Sequence, residues 1–386
     1  MNITKRIKII LNNKLIFIFI ISLAILSILY ALKIANTYGT MDFPYSPTLL
    51  FMDKINPYEY FLFSKDTSRF IAAQYPVYAH ATYILFSPFS YLEWNFAKAT
   101  WSIINLFLGF LISYIFIKKA QINKIISLFI ICIFCTSTPF RNCIGNGQLS
   151  FLILLCYSAY FLRNDNLKSF LMGISYIKYS FMPIVAFILF LKGGIKQLFI
   201  SGIFCLIGWL IFSAYLNQNV LDTLFQPVLV ALNGFDTTLA RGDLYTLFNI
   251  IFKILEIENS YFIIFIIFFV TFIFSKHISK LSDSLLTINL MLIVSLFTFG
   301  HLIYDYVVLF PALVYSVKYL NFFRAKISIL IILYFWFGIR IIEKIKMYVI
   351  ESNIIIPTTY DVVINFSLLI VLYFLNFNIK SNSFIK

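Results

Sequence analysis

Residues 15–32 read LIFIFIISLAILSILYAL, an unbroken apolar run that follows Lys5, Arg6, Lys8 and Lys14. About 20 residues of helix cross the roughly 30 Å of a bilayer's hydrocarbon, so this run is long enough to span one. It also exceeds the ~7 to 15 residue core of a cleaved signal peptide and lacks a convincing small-residue cleavage site, so a retained first helix is expected. Similar runs recur to the far end of the chain. With 61% hydrophobic and 12% charged residues, the composition is far from the roughly 45 to 50% apolar and 25% charged content of soluble domains. A backbone in lipid must satisfy its own hydrogen bonds, and these runs are continuous and not alternating, so the spans are helices.

Spans are expected near residues 15–35, 76–92, 98–117, 123–139, 148–162, 167–191, 196–216, 261–275, 284–300, 302–317, 327–342 and 361–378, about twelve in an all-α, multi-pass membrane protein. Residues 1–216 form one transmembrane module that includes a first loop at 36–74. A second loop occupies 217–260, and 261–386 supplies the C-terminal helices. With the N-terminus in the cytoplasm, Lys and Arg divide almost evenly between the two sides and do not decide the orientation. The acids divide sharply: only Glu93 and Asp283 fall inside, while the turn of Lys118, Lys119 and Lys124, placed outside, argues against this parity. On this reading both large loops face outward. The net charge of +14 is a cytoplasmic surplus against anionic membrane lipids. Nucleic acid is not an expected partner, because no soluble basic face exists. No internal repeat of the kind many secondary transporters carry is visible. Cys132, Cys135, Cys143, Cys156 and Cys205 lie in or beside spans, and the CxxC of Cys132 and Cys135 has no histidine near it. Packing, and not a metal or redox role, is the expectation there.

Acids are scarce, 16 Asp and Glu in 386 residues, yet the first loop holds Asp42, Asp53, Glu59 and Asp66. Asp42, before Phe43-Pro44-Tyr45, lies just past the first helix; it is either a placed base or a solvated carboxylate. Asn56-Pro57-Tyr58 and Tyr75-Pro76-Val77-Tyr78 read as turns that start helices. The second loop carries Asp222, Asp236, Arg241, Asp243, Glu256 and Glu258. Lys178 sits midway along the sixth span, where a cation costs roughly 2.5 to 3.5 kcal/mol, so it faces a polar cavity or an acid. It either binds a phosphate or makes a structural ion pair or snorkels. Pro183 could open that helix toward the same cavity. His301 and Asp305, at i and i+4, can share a helix face; the Asp would orient the ring toward a phosphate, or the two are an interfacial polar pair. Asn146-Gly147-Gln148 reads locally as a cap.

In order along the chain, Asp42, Asn56-Pro57-Tyr58, Tyr75-Pro76, Pro88, Trp101, Gly147-Gln148, Gly173 with Lys178 and Pro183, and His301 to Asp305 resemble glycosyltransferase family 87 and, more widely, the GT-C membrane glycosyltransferases. The resemblance covers about residues 10–320. Tyr75-Pro76-Val77 replaces a usual double proline, and Arg241-Gly242-Asp243 stands where relatives often carry an Asn-rich or Ser-rich stretch. The resemblance implies a GT-C-type fold and transfer of a sugar, typically mannose, from a polyprenyl-phosphate donor to a lipid or glycan acceptor. Transfer would occur on the extracytoplasmic face of the plasma (inner) membrane and invert the anomeric centre. Asp42 would be the general base, Lys178 and His301 would bind the donor phosphate, and Asn56, Tyr58, Tyr75, Gln148 and Asp305 would support substrate binding. No cofactor and no metal is expected. The alternatives are a transporter or flippase of lipid-linked saccharides and a polysaccharide polymerase or ligase whose key residues would lie in 217–260.

Overall fold

The computed structural model describes residues 14–37, 40–64, 66–234, 242–254, 260–350 and 359–379. Lys5, Arg6, Lys8, Asp236, Arg241, Glu256 and Glu258 lie outside them. Among the described residues all regular structure is helical. Lys14–Thr37, Trp94–Ala120, Tyr179–Tyr215, Phe323–Lys346 and Tyr360–Phe377 are long and apolar enough to cross a membrane. Lys124–Thr136 and Thr138–Gly145, bent by 59°, make a sixth if the pair counts as one span. Other expected spans fall on shorter apolar helices such as Phe262–Ile278 and Ser284–Thr298. Along Lys14–Thr37, Phe19 and Leu26 are exposed, an apolar surface suited to lipid.

The chain folds as two compact units. One comprises Ala31–Gly109 and Cys143–Asp236. Its first loop is not irregular: it contains the helices Tyr45–Met52 and Pro57–Phe63 and a short 3-10 turn, Ile71–Ala73. The expected span at 76–92 breaks into the helix Ala81–Phe86 and the 3-10 turn Ser87–Tyr91. Pro76 and Pro88 each remove a backbone donor, and Pro88 stands in the first turn of the 3-10 segment, after a Ser87 that keeps helical backbone (φ −53°, ψ −33°). The sixth span breaks as well. Lys178 has extended backbone (φ −115°, ψ 103°) between the 3-10 turns Ile174–Ile177 and Tyr179–Phe181, so it sits at a helix break and not within a helix. Pro183 lies in the first turn of Met182–Tyr215, where proline starts a helix and does not open one. That helix is interrupted at Gly194 (φ 67°, ψ −163°), where the expected sixth and seventh spans meet. A Cβ on Gly173 would stand 1.8 Å from the Ser201 carbonyl oxygen, so two backbones meet there that only glycine allows.

The other unit comprises Met1–Tyr30, Phe110–Asn142 and Thr237–Lys386. Phe134 packs on Phe140, Phe310 and Trp336, whose indole donates to the Tyr306 carbonyl at 2.9 Å. Ser27 donates to the Cys135 carbonyl. Cys132 and Cys135 are buried free thiols. Gly242 (φ 124°) lies against Thr359–Phe377, where a Cβ would come within 2.3 Å of the Asn365 Cβ.

Candidate active site

Asp42 is held by its backbone from several sides. Its N–H donates to the Asn146 carbonyl at 2.9 Å, and two residues earlier the Thr40 N–H donates to the Gly145 carbonyl at 2.8 Å. The Asp42 carbonyl accepts from the Tyr78 hydroxyl at 3.1 Å. Gln74 binds both flanks: its Nε2 donates to the Thr40 carbonyl, and its Oε1 accepts from the Ser46 N–H and hydroxyl. Thr40 takes a left-handed conformation (φ 70°), which costs a non-glycine residue energy and persists only where neighbours over-determine it. Next along the chain, fully buried Phe43 stacks on Trp101, with ring centroids 5.8 Å apart. Trp101 in turn donates to the Gly147 carbonyl at 2.8 Å. Gly147 (φ 70°) leaves no space for a side chain, since a Cβ would lie 2.8 Å from the Phe43 Cβ. The half-buried Asp42 thus rides on a framework of main-chain bonds and stacked rings.

The same framework reaches Lys178. Next to Tyr78, the Ala79 N–H donates to the Ile177 carbonyl at 3.1 Å, immediately before the lysine. The Lys178 ammonium lies 5.6 Å from the centre of the Phe181 ring, a cation–π contact. Tyr58 is fully buried, and its hydroxyl donates to the Tyr78 carbonyl at 2.7 Å. Tyr75 packs against Phe61 and Phe70. Asn56 caps Pro57–Phe63 by accepting from the Tyr58 and Glu59 N–H groups, with Pro57 in the first turn, the helix start its sequence implies.

Glu59, Asp53 and Asp66 differ in setting. Glu59 is half-buried and engaged by other side chains. Its two oxygens accept from the Gln218 and Gln226 amides at 2.8 and 2.9 Å, while Asn56 donates to both glutamine carbonyls. Asp53 pairs with Arg69 at the surface. Asp66 is exposed; hydrogen bonds from Ser68, then from Tyr60, hold its carboxyl below the usual carboxylate range.

In the other unit, buried His301 and Asp305 meet at 2.9 Å. They do so across the non-helical stretch after Ser284–Thr298 and the 3-10 segment Ile303–Leu309, not on one helix face. The second ring nitrogen, Nε2, faces the Ser295 carbonyl at 3.2 Å. A carbonyl only accepts, so Nε2 is the donor in this contact. Asp243 belongs to this unit too. It binds the Thr246 N–H and hydroxyl ahead of Leu244–Ile254, as an N-terminal cap. Burial pushes its carboxyl up to about 6, against the lowering effects of the Thr246 hydrogen bonds and of nearby His301.

The sequence profile of glycosyltransferase family 87 matches residues 76–304. The chain belongs to glycosyltransferase family 87. No curated protein and no solved structure matches it. As a family 87 member, the chain is a membrane glycosyltransferase that takes a sugar donor and an acceptor. The match covers the Lys178 break, the 145–148 turn and His301, while Asp42 lies before it. The bonds by which Gln74 and Tyr78 fix Asp42 in this family 87 protein carry no signal in the sequence. A buried amide between two loop segments, and a phenol bonded to a carbonyl 36 residues away, leave no local pattern.

Proposed function

We propose that this family 87 protein transfers a hexosyl group, mannose by family habit, from a polyprenyl-phosphate donor to a hydroxyl of a lipid or glycan acceptor. Transfer inverts the anomeric centre, on the extracytoplasmic face of the plasma (inner) membrane, within a GT-C-type arrangement of about twelve helices. One observation carries the reading. A half-buried carboxylate, Asp42, and a lysine at a helix break, Lys178, hang on a single hydrogen-bonded framework through Tyr78, Ala79 and Ile177.

In the proposed step the acceptor oxygen attacks the anomeric carbon while its proton passes to the Asp42 carboxylate. The bond from that carbon to the phosphate oxygen breaks, and polyprenyl phosphate leaves with the electron pair. A positioned base of this kind contributes about 10²- to 10⁴-fold. The Lys178 ammonium offsets charge growing on the leaving phosphate. His301, oriented by Asp305, has the same proposed role, and to donate there Nε2 must give up the Ser295 carbonyl. Asn56, Tyr58, Tyr75 and Gln148 are assigned to the support of Asp42 and of the substrates.

The test is purified protein given polyprenyl-phosphate sugars and candidate acceptors. Asp42→Asn should cut kcat by at least about a hundredfold with little change in donor KM. Turnover that survives in Asp42→Asn removes the base assignment. Absence of any turnover, with lipid-linked saccharide crossing liposomes instead, would favour the flippase reading that family membership weighs against.

A further inference from the structure

Gln148 and Asn105 are almost wholly buried, at 1% and 0% exposure. Among the described residues, neither Nε2 nor Oε1 of Gln148 has a hydrogen-bond partner, and neither has Oδ1 of Asn105. The two residues are neighbours, since the Asn105 Nδ2 donates to the Gln148 main-chain carbonyl at 3.0 Å. The main chain around them is fixed: the Gln148 N–H donates to the Cys143 carbonyl at 2.9 Å and the Gly147 N–H to the Ile144 carbonyl at 3.2 Å. Asp42 is bonded to this same turn at Asn146. Leaving such groups unpaired costs about 1 to 3 kcal/mol each, and native proteins keep few of them.

The chemistry of the orphaned atoms selects a ligand. Together they offer two N–H donors and two carbonyl acceptors. A phosphate, which only accepts, would leave both carbonyl oxygens unpaired, and a lipid chain would leave all of them so. Sugar hydroxyls each donate and accept, and neighbouring hydroxyls on a ring are spaced for adjacent amides. We propose that Gln148 and Asn105 bind the hydroxyls of the donor sugar, placing its anomeric carbon against Asp42. This inference rests on the transfer reading above. Both amide heads are covered, so binding includes a local opening.

Thermal melting of the full-length, detergent-solubilised protein tests it, with bare polyprenyl phosphate, polyprenyl-phosphate mannose and polyprenyl-phosphate glucose as probes. A sugar-bearing lipid should raise the melting temperature beyond the shift given by the bare lipid. Gln148→Met and Asn105→Leu should each remove that increment, keep the bare-lipid shift and raise the donor KM by roughly tenfold, the equivalent of about one hydrogen-bonded hydroxyl. Gln148→Met should also melt higher than wild type without ligand, because two orphaned atoms are gone. Asn105→Leu should melt near wild type, as it trades one hydrogen bond for one orphan. The proposal is overturned if neither sugar gives an increment in wild type, if the increment survives both substitutions, or if Gln148→Met melts lower. Asp42→Asn should keep the sugar increment and lose turnover; turnover in that variant removes only the base assignment, whereas a wild type that shows the sugar increment but no turnover with any acceptor sinks the transfer reading and leaves the amide result standing.

Discussion

At Gly147 a single hydrogen atom decides the position of the proposed base. Gly147→Ala forces a left-handed backbone on a residue with a Cβ, about 1 to 2 kcal/mol, and drives that Cβ into Phe43, one residue from Asp42. Melting should drop and turnover should fall with it. Gly202→Ala is the control. A Cβ there meets nothing within 4 Å, and the change in a helix interior should stabilise by roughly 0.5 to 1 kcal/mol with turnover intact. Asp243, in the second loop and outside the candidate spans, gives a pH prediction. Its folded value of about 6 stands above the ordinary 3.8, so between these values the folded chain keeps a proton that the unfolded chain has released. Its contribution is therefore most favourable below about pH 4, declines as pH rises to about 6 and is flat beyond, a change of roughly 2 to 3 kcal/mol at most. Wild type minus Asp243→Asn, in melting measured from pH 4 to 8, should show that decline; a flat difference would remove the buried, protonated carboxyl from consideration.

Elements are joined here by amides as well as by apolar packing. The ring of Asn56, Glu59, Gln218 and Gln226 ties Pro57–Phe63 to the segment that follows Met182–Tyr215. Glu59→Ala strands two amide donors and should cost about 1 to 3 kcal/mol, read from thermal or denaturant melting. Asn56→Ala should cost more, because it loses a helix cap worth about 0.5 to 2 kcal/mol together with both glutamine contacts. The double variant should fall short of the sum, since both act on one network. What could be read in the sequence follows the same division between near and far. Asn56-Pro57 announced a helix start because cap and proline act within one turn, and the gap expected between the spans at 167–191 and 196–216 falls on Gly194, which has positive φ (67°). Near Lys178 the sequence offered only Pro183, which starts the next helix five residues after the break, and Gln218, 162 residues from Asn56, could not be paired with it by any local rule. The candidate residues were visible as residue types at ordered positions; the Gln74 and Tyr78 bonds that fix Asp42 exist only once the chain has folded.

Across the whole molecule, hydropathy identifies a helical membrane protein but does not separate a span from a buried or broken helix. Buried apolar helices such as Ser284–Thr298 and surface-exposed ones such as Lys14–Thr37 carry similar compositions. Polar contacts constrain topology better. Side chains 2.6 to 2.9 Å apart cannot stand on opposite sides of roughly 30 Å of hydrocarbon, so the Asn56 and Gln218 segments share one side of any membrane the chain occupies. Thr67 and Leu221 are exposed residues of those two segments. Thr67→Cys and Leu221→Cys, each compared with wild type to subtract the native thiols, should react alike with a membrane-impermeant maleimide. If the proposed outward-facing site is right, both should react in intact cells, before permeabilisation. One residue labelled and the other protected would break the amide ring as a description of the folded protein. Both protected until the membrane is opened would leave the ring intact and place the Asp42 loop on the cytoplasmic side, where a nucleotide sugar and not a polyprenyl-phosphate sugar becomes the donor to test.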